Sequence, residues 1–170
     1  GVLQLWDIAT ASSVWTARTD SCSFARCAAL ALAGGPGPPD AAAADCTLCS
    51  PLAEPHRIGA FDCRASGRRC ELALAASAFS PPRLAGAGGA PDGSALGMCT
   101  ALCPVPALGP SYLLAVYEST DTCVWDLRSP GAPAVPSALA GNPESPAICA
   151  AVIWRQVWVA SADGTVGVLR

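Results

Sequence analysis

The chain has 170 residues, 52% of them hydrophobic and 14% charged, which is ample apolar material for the core of one ordinary domain. Its formal net charge is −3 and its basic residues are all arginine, so no basic stripe answers a run of phosphates and nucleic acid is not an expected partner. The lack of lysine excludes a P-loop lysine, a Schiff base and a kinase-type phosphate anchor; a membrane span is not expected either, because Arg155 interrupts the longest apolar run, Ala147 to Ala160.

Gly1 opens in the middle of an alternating strand pattern, GVLQLWDI, with neither an initiator Met nor a signal peptide, so the chain is expected to be a fragment or an incomplete gene model. Ser23 to Leu32 is the next expected strand. The segment 33–51 that follows is rich in Gly, Pro and Ala, lacks hydrophobic periodicity and reads as a loop insert. His56 to Cys63 and Cys70 to Ala75 are the second and third strands expected of this unit, although Arg68 and Arg69 stand where β-branched residues belong. A second insert of the same composition covers 80–95. Within it GAGGAPDG (Gly86 to Gly93) fails as a dinucleotide loop, because Pro91 holds the third glycine position and no buried parallel strand precedes it.

Leu96 to Val105, Tyr112 to Glu118 and Thr122 to Leu127 form the clearest unit. Ala132 to Leu139 is its outer strand, where Pro133 and Pro136 are tolerable only at a sheet edge. Ala147 to Trp154, Val157 to Ser161 and Thr165 to Leu169 complete the pattern.

Two of these segments repeat. YLLAVYESTDTCVWDL (Tyr112 to Leu127) and VWVASADGTVGVLR (Val157 to Arg170) each join an apolar strand, a small polar turn and a strand alternating at period two. Ser119 to Asp163 and Trp125 to Leu169 are both 44 residues apart. That matches the ~40 to 45 residues of a WD blade. The dipeptides Trp6-Asp7 and Trp125-Asp126 fall in the third strand of their units, where a Trp packs against neighbouring strands and the Asp meets the turn; Asp163-Gly164 supplies a turn of the same unit. The fold expected is all-β, a partial WD40-type β-propeller of about three to four four-stranded blades in an incomplete ring, with 1–170 as one domain. Such a piece would expose blade edges, so poor solubility in isolation is expected. The His of the usual Gly-His dipeptide is absent, and Gly141-Asn142 stands near its place, so the repeats are degenerate.

The run LGMCTALCPVPALGPSYLLAVYESTDTCVWDL (Leu96 to Leu127) resembles the WD-repeat family that includes guanine nucleotide-binding protein subunit beta-like protein 1 and the ASTRA-associated WD protein. There an LGM-type strand precedes an LLAGYEDGS-VLWD unit, and the opening GVLQLWDIATASSVWTARTDSCSFARCAAL is similar to an earlier blade. Val116 departs from the family Gly, and Ser119-Thr120 from the turn Asp-Gly. The resemblance implies a non-catalytic scaffold in nucleus and cytoplasm, binding other proteins and acting with cochaperones in the maturation of phosphatidylinositol-3-kinase-related kinases.

Candidate chemistry is sparse. Cys46, Cys49, His56 and Cys63 carry donors suited to tetrahedral zinc and define the alternative, a Cys-rich metal-binding or redox domain. Their spacing is looser than a compact zinc knuckle, and no cofactor is expected. Most of the ten Cys lie in apolar runs, where they behave as small buried hydrophobes of a reduced, intracellular protein. His56, the only histidine, reads as a surface residue beside an insert, since no nucleophile motif accompanies it; an enzyme is not expected. Trp15, Trp154 and Trp158 are candidate anchors for a protein partner, with packing the expected role of the last two.

Overall fold

The computed structural model describes residues 1–31, 46–54, 56–63, 68–72, 96–131, 133–139, 141–142 and 144–170. These form thirteen strands in four antiparallel sheets, with no α-helix among the described residues and none long and apolar enough to cross a membrane. The first sheet is the hairpin β1 (Val2–Asp7) and β2 (Ser12–Arg18). The second runs β3 (Ala28–Ala31), β4 (Cys46–Pro51), β5 (Ile58–Asp62) and β6 (Arg68–Leu72). The third runs β7 (Cys99–Pro104), β8 (Tyr112–Tyr117), β9 (Asp121–Asp126) and β10 (Pro133–Leu139). The fourth holds β11 (Ala147–Ile153), β12 (Gln156–Ser161) and β13 (Val166–Leu169). Within every sheet, sequence neighbours are spatial neighbours, so each is a meander.

The sheets stack through their faces. β8 explains how: YLLAVY is apolar at every position rather than alternating, as a strand covered on both sides requires. Leu113, Ala115 and Tyr117 point to one side, into a layer shared with Leu30, Ile58 and Ala60 of the second sheet. Leu114 and Val116 point to the other, into a layer shared with Ala147 and Val159 of the fourth. A third layer joins Leu3 of the first sheet to Leu48 and Phe61 of the second, with Trp15 edge-on to Phe61 at 6.3 Å. The leading strands lie side by side, β7 against both β3 and β11. Ser23 strengthens one of these junctions by donating its hydroxyl to the Cys99 carbonyl at 2.6 Å.

The 44-residue offset recurs in the pairing. Leu113 faces Trp125 across β8–β9, and Val157 faces Leu169 across β12–β13. The intervening turns close on equivalent bonds, Thr120 N–H to Tyr117 O at 2.9 Å and Gly164 N–H to Ser161 O at 3.0 Å. In each turn a short side chain then accepts the N–H two residues on: Ser119 Oγ from Asp121 at 3.4 Å, and Asp163 Oδ1 from Thr165 at 2.9 Å. Ser119 therefore performs in its turn the role that Asp163 performs in the other. The glycine position is harder to replace, and Thr120 sits at φ 70 where Gly164 has φ 85.

Three expectations need correction. The loop insert does not extend to Pro51: Cys46–Pro51 is β4, the second strand of its sheet, which moves the His56 to Cys63 segment to third place and the Cys70 segment to fourth. Small residues covered on both faces leave β4 without the alternation that marks a half-buried strand. His56 is buried rather than a surface residue. Neither tryptophan expected to pack is buried: Trp158 is 38% exposed and Trp154 89%, the latter because it occupies the tight β11–β12 turn. The insert 80–95 and residues 73–75 lie outside the described residues, as does most of 33–51. β10 falls within the expected outer strand, and its pairing with β9 breaks register near its prolines, between Pro133 and Val135 and between Val135 and Ala138.

Candidate interaction site

The two Trp-Asp dipeptides share a backbone role and differ in packing. Asp7 accepts the N–H of Ala9 at 2.8 Å, and Asp126 that of Arg128 at 3.0 Å, so each carboxylate caps the chain leaving its strand. Arg128 also grips Asp126 through Nε at 2.9 Å and Nη2 at 2.7 Å, which holds that carboxyl well below its ordinary range, and the guanidinium stacks over the Tyr112 ring. Trp125 is fully buried, whereas Trp6 is 53% exposed. Burial pushes the nearby Tyr117 phenol well up; the Trp125 indole N–H lies close enough to soften that shift but outside hydrogen-bond geometry.

Asp163 and Gly164 shape the β12–β13 turn. Besides Thr165 N–H, Asp163 accepts the Thr165 hydroxyl at 2.7 Å and the Asn142 amide at 2.6 Å, and these donors lower its pKa, the Thr165 N–H most. Ser161 Oγ is buried without a partner, and Leu169 stands 44 residues after Trp125.

The proposed zinc ligands do not converge. Strand geometry sends side chains three apart to opposite faces. Cys46 accordingly packs beside Cys63 in the layer toward the first sheet, while Cys49 enters the layer toward the third. No group of three or more His, Cys, Asp or Glu among the described residues could hold a metal. Burial raises the thiol pKa of Cys63 to about 11 and of Cys99 to about 12, and it raises Cys46, Cys103 and Cys123 as well, which disfavours thiolate chemistry. His56 Nε2 is buried without a hydrogen-bond partner.

A concavity of about 480 Å³ opens between the third and fourth sheets. Val124 and Val135 form one wall and Val152, Val157 and Leu169 the other, while Trp154, Arg155 and Arg170 stand at its mouth. Among the described residues no carboxylate side chain lines it, and no ion pair joins either arginine to another.

The chain matches no protein-family model and no curated protein. The candidate site therefore stands on its own geometry. Arg155 and Arg170 were not legible as site residues, because their convergence depends on how two sheets pack. Trp154 did leave a signal: a bulky apolar residue in the two-residue gap between strands ending at Ile153 and starting at Gln156, where Gly or Asn is usual.

Proposed function

We propose that the chain forms consecutive blades of a WD-repeat propeller and serves as a non-catalytic scaffold that binds other proteins. The observation that carries this reading is the 44-residue repeat of strand register and turn bonding between the third and fourth sheets, combined with leading strands that lie side by side. Four-stranded meanders stacked face to face around their first strands are the construction of a propeller blade. The first hairpin supplies the last two strands of one blade, and the fourth sheet the first three of another. An apolar concavity rimmed by two guanidiniums suits contact better than proton transfer, which supports binding over catalysis.

The resemblance of Leu96 to Leu127 extends the proposal to cochaperone-assisted maturation of phosphatidylinositol-3-kinase-related kinases in nucleus and cytoplasm. Affinity purification of the tagged full-length protein with quantitative mass spectrometry tests both levels. Stoichiometric recovery of the cochaperones and their kinases is the expected result. Recovery of other proteins alone removes the kinase part, and a bait that retains no protein in stoichiometric amount overturns the scaffold.

A further inference from the structure

We propose that the groove between the third and fourth sheets is a docking site for an extended peptide segment that combines apolar side chains with acidic ones. The inference rests on the protein-binding reading above and names its partner chemistry.

The first observation is Trp154. It is the first residue of the two-residue turn between β11 and β12 and adopts φ 60, a left-handed conformation that Gly, Asn and Asp occupy readily and a tryptophan does not. Buried packing cannot account for a tryptophan there, since the side chain is 89% exposed. A residue that opposes local backbone preference and buries almost nothing points to a use outside folding. Tryptophan is also the side chain most enriched at the centres of protein interfaces.

The second observation is the groove beside it. Its walls are valines and Leu169 from two different sheets, and Val135 on its rim is about half exposed. A volume of about 480 Å³ falls within the range of sites that take a small ligand or a few side chains, and is too small for a folded domain to enter.

The third observation is charge. Arg155 follows Trp154 in the turn and Arg170 follows Leu169, and both are exposed residues that line the groove, while among the described residues no lining side chain is acidic and neither arginine has an ion-pair partner. The chain as a whole carries −3, so this is a local positive rim on an acidic protein. Apolar walls with two forked cations at the lip complement Leu- or Ile-class side chains flanked by Asp or Glu. Nucleic acid fits poorly, because two cations over an apolar floor neither track a phosphate backbone nor offer stacking beyond one ring.

A phage-displayed library of random peptides of about twelve residues, panned on the full chain, tests the proposal. The expected consensus pairs two or three large apolar residues with Asp or Glu. A synthetic consensus peptide, followed by fluorescence anisotropy, should bind at least ~10-fold more weakly to the Arg155→Glu/Arg170→Glu variant, and panning on that variant should select Lys or Arg in place of the acids. Trp154→Asn relieves the turn while removing the ring, so it should melt no lower than the parent yet lose at least ~10-fold in affinity. Phe24→Ser, which removes an equally exposed aromatic from the segment after β2, should leave affinity unchanged. No consensus, a consensus without acids, or binding indifferent to the three groove substitutions overturns the groove. If the same substitutions in the full-length bait release none of its co-purifying proteins, the groove proposal fails while the scaffold stands. A parent bait that retains nothing sinks the scaffold instead.

Discussion

Replacing Gly164 by alanine isolates the backbone demand of the β12–β13 turn. At φ 85 the residue occupies left-handed space, and a Cβ built there meets no atom within 4 Å, so the substitution adds no clash and loses no contact. The whole effect is conformational. A left-handed L-residue costs about 1–2 kcal/mol, while the reduced freedom of the unfolded chain returns about 0.4–1 kcal/mol. The net destabilisation is about 0.5–1.5 kcal/mol, or a melting temperature lower by about 1–6 °C for a chain of this size. Gly164→Asn should recover most of the loss, because asparagine tolerates this region. Gly131→Ala is the matched control: it also meets nothing within 4 Å, but its φ is outside the left-handed range, so it should be neutral or slightly stabilising. Thermal melts by circular dichroism decide the matter. Gly164→Ala melting with the parent, or Gly131→Ala falling equally far, would refute the equivalence drawn between this turn and the one held by Thr120.

Trp125→Ala should cost about 3–5 kcal/mol by opening a cavity between the second and third sheets, whereas Trp6→Ala, at 53% exposure, should cost about 1 kcal/mol; denaturant titrations of both read the contrast directly. Alkylation at neutral pH followed by peptide mapping should modify Cys22, Cys27 and Cys149, which are exposed, and spare Cys49, Cys99 and Cys123 until the chain unfolds. The buried Cys99 thiol, raised from 9.0 to about 12, stabilises the fold fully below pH 9, and that contribution is lost as pH rises toward 12. Melting temperature should therefore fall across that window, and more gently in Cys99→Ala. Elemental analysis of purified protein should find no stoichiometric zinc; about one zinc per chain, abolished by Cys49→Ser, would contradict the opposed faces of β4.

Legibility in the sequence followed local signal strength. Strands β7 to β9 and β11 to β13 announce themselves through apolar runs bounded by ESTD and SADG turns, and every one falls within two or three residues of its expected span. β4 did not, since CTLCSP offers no large β-branched residue and follows an Ala-rich stretch; it is a strand because Leu48 and Cys49 find apolar layers on opposite faces. His56 was misplaced for a related reason. Its neighbours in sequence resemble a loop, and it does lie in the β4–β5 connection, yet it is buried there.

The amino-acid order alone determined the all-β class, the 44-residue unit and the turns, because period-two patterning and turn chemistry act over a few bonds. Only the tertiary structure decided which faces are covered and which side chains meet. The different layers that Cys46 and Cys49 enter and the shared groove that Arg155 and Arg170 line depend on sheets stacking across long sequence separations. That stacking is driven by non-directional apolar burial, which leaves no local mark at the polar residues it brings together.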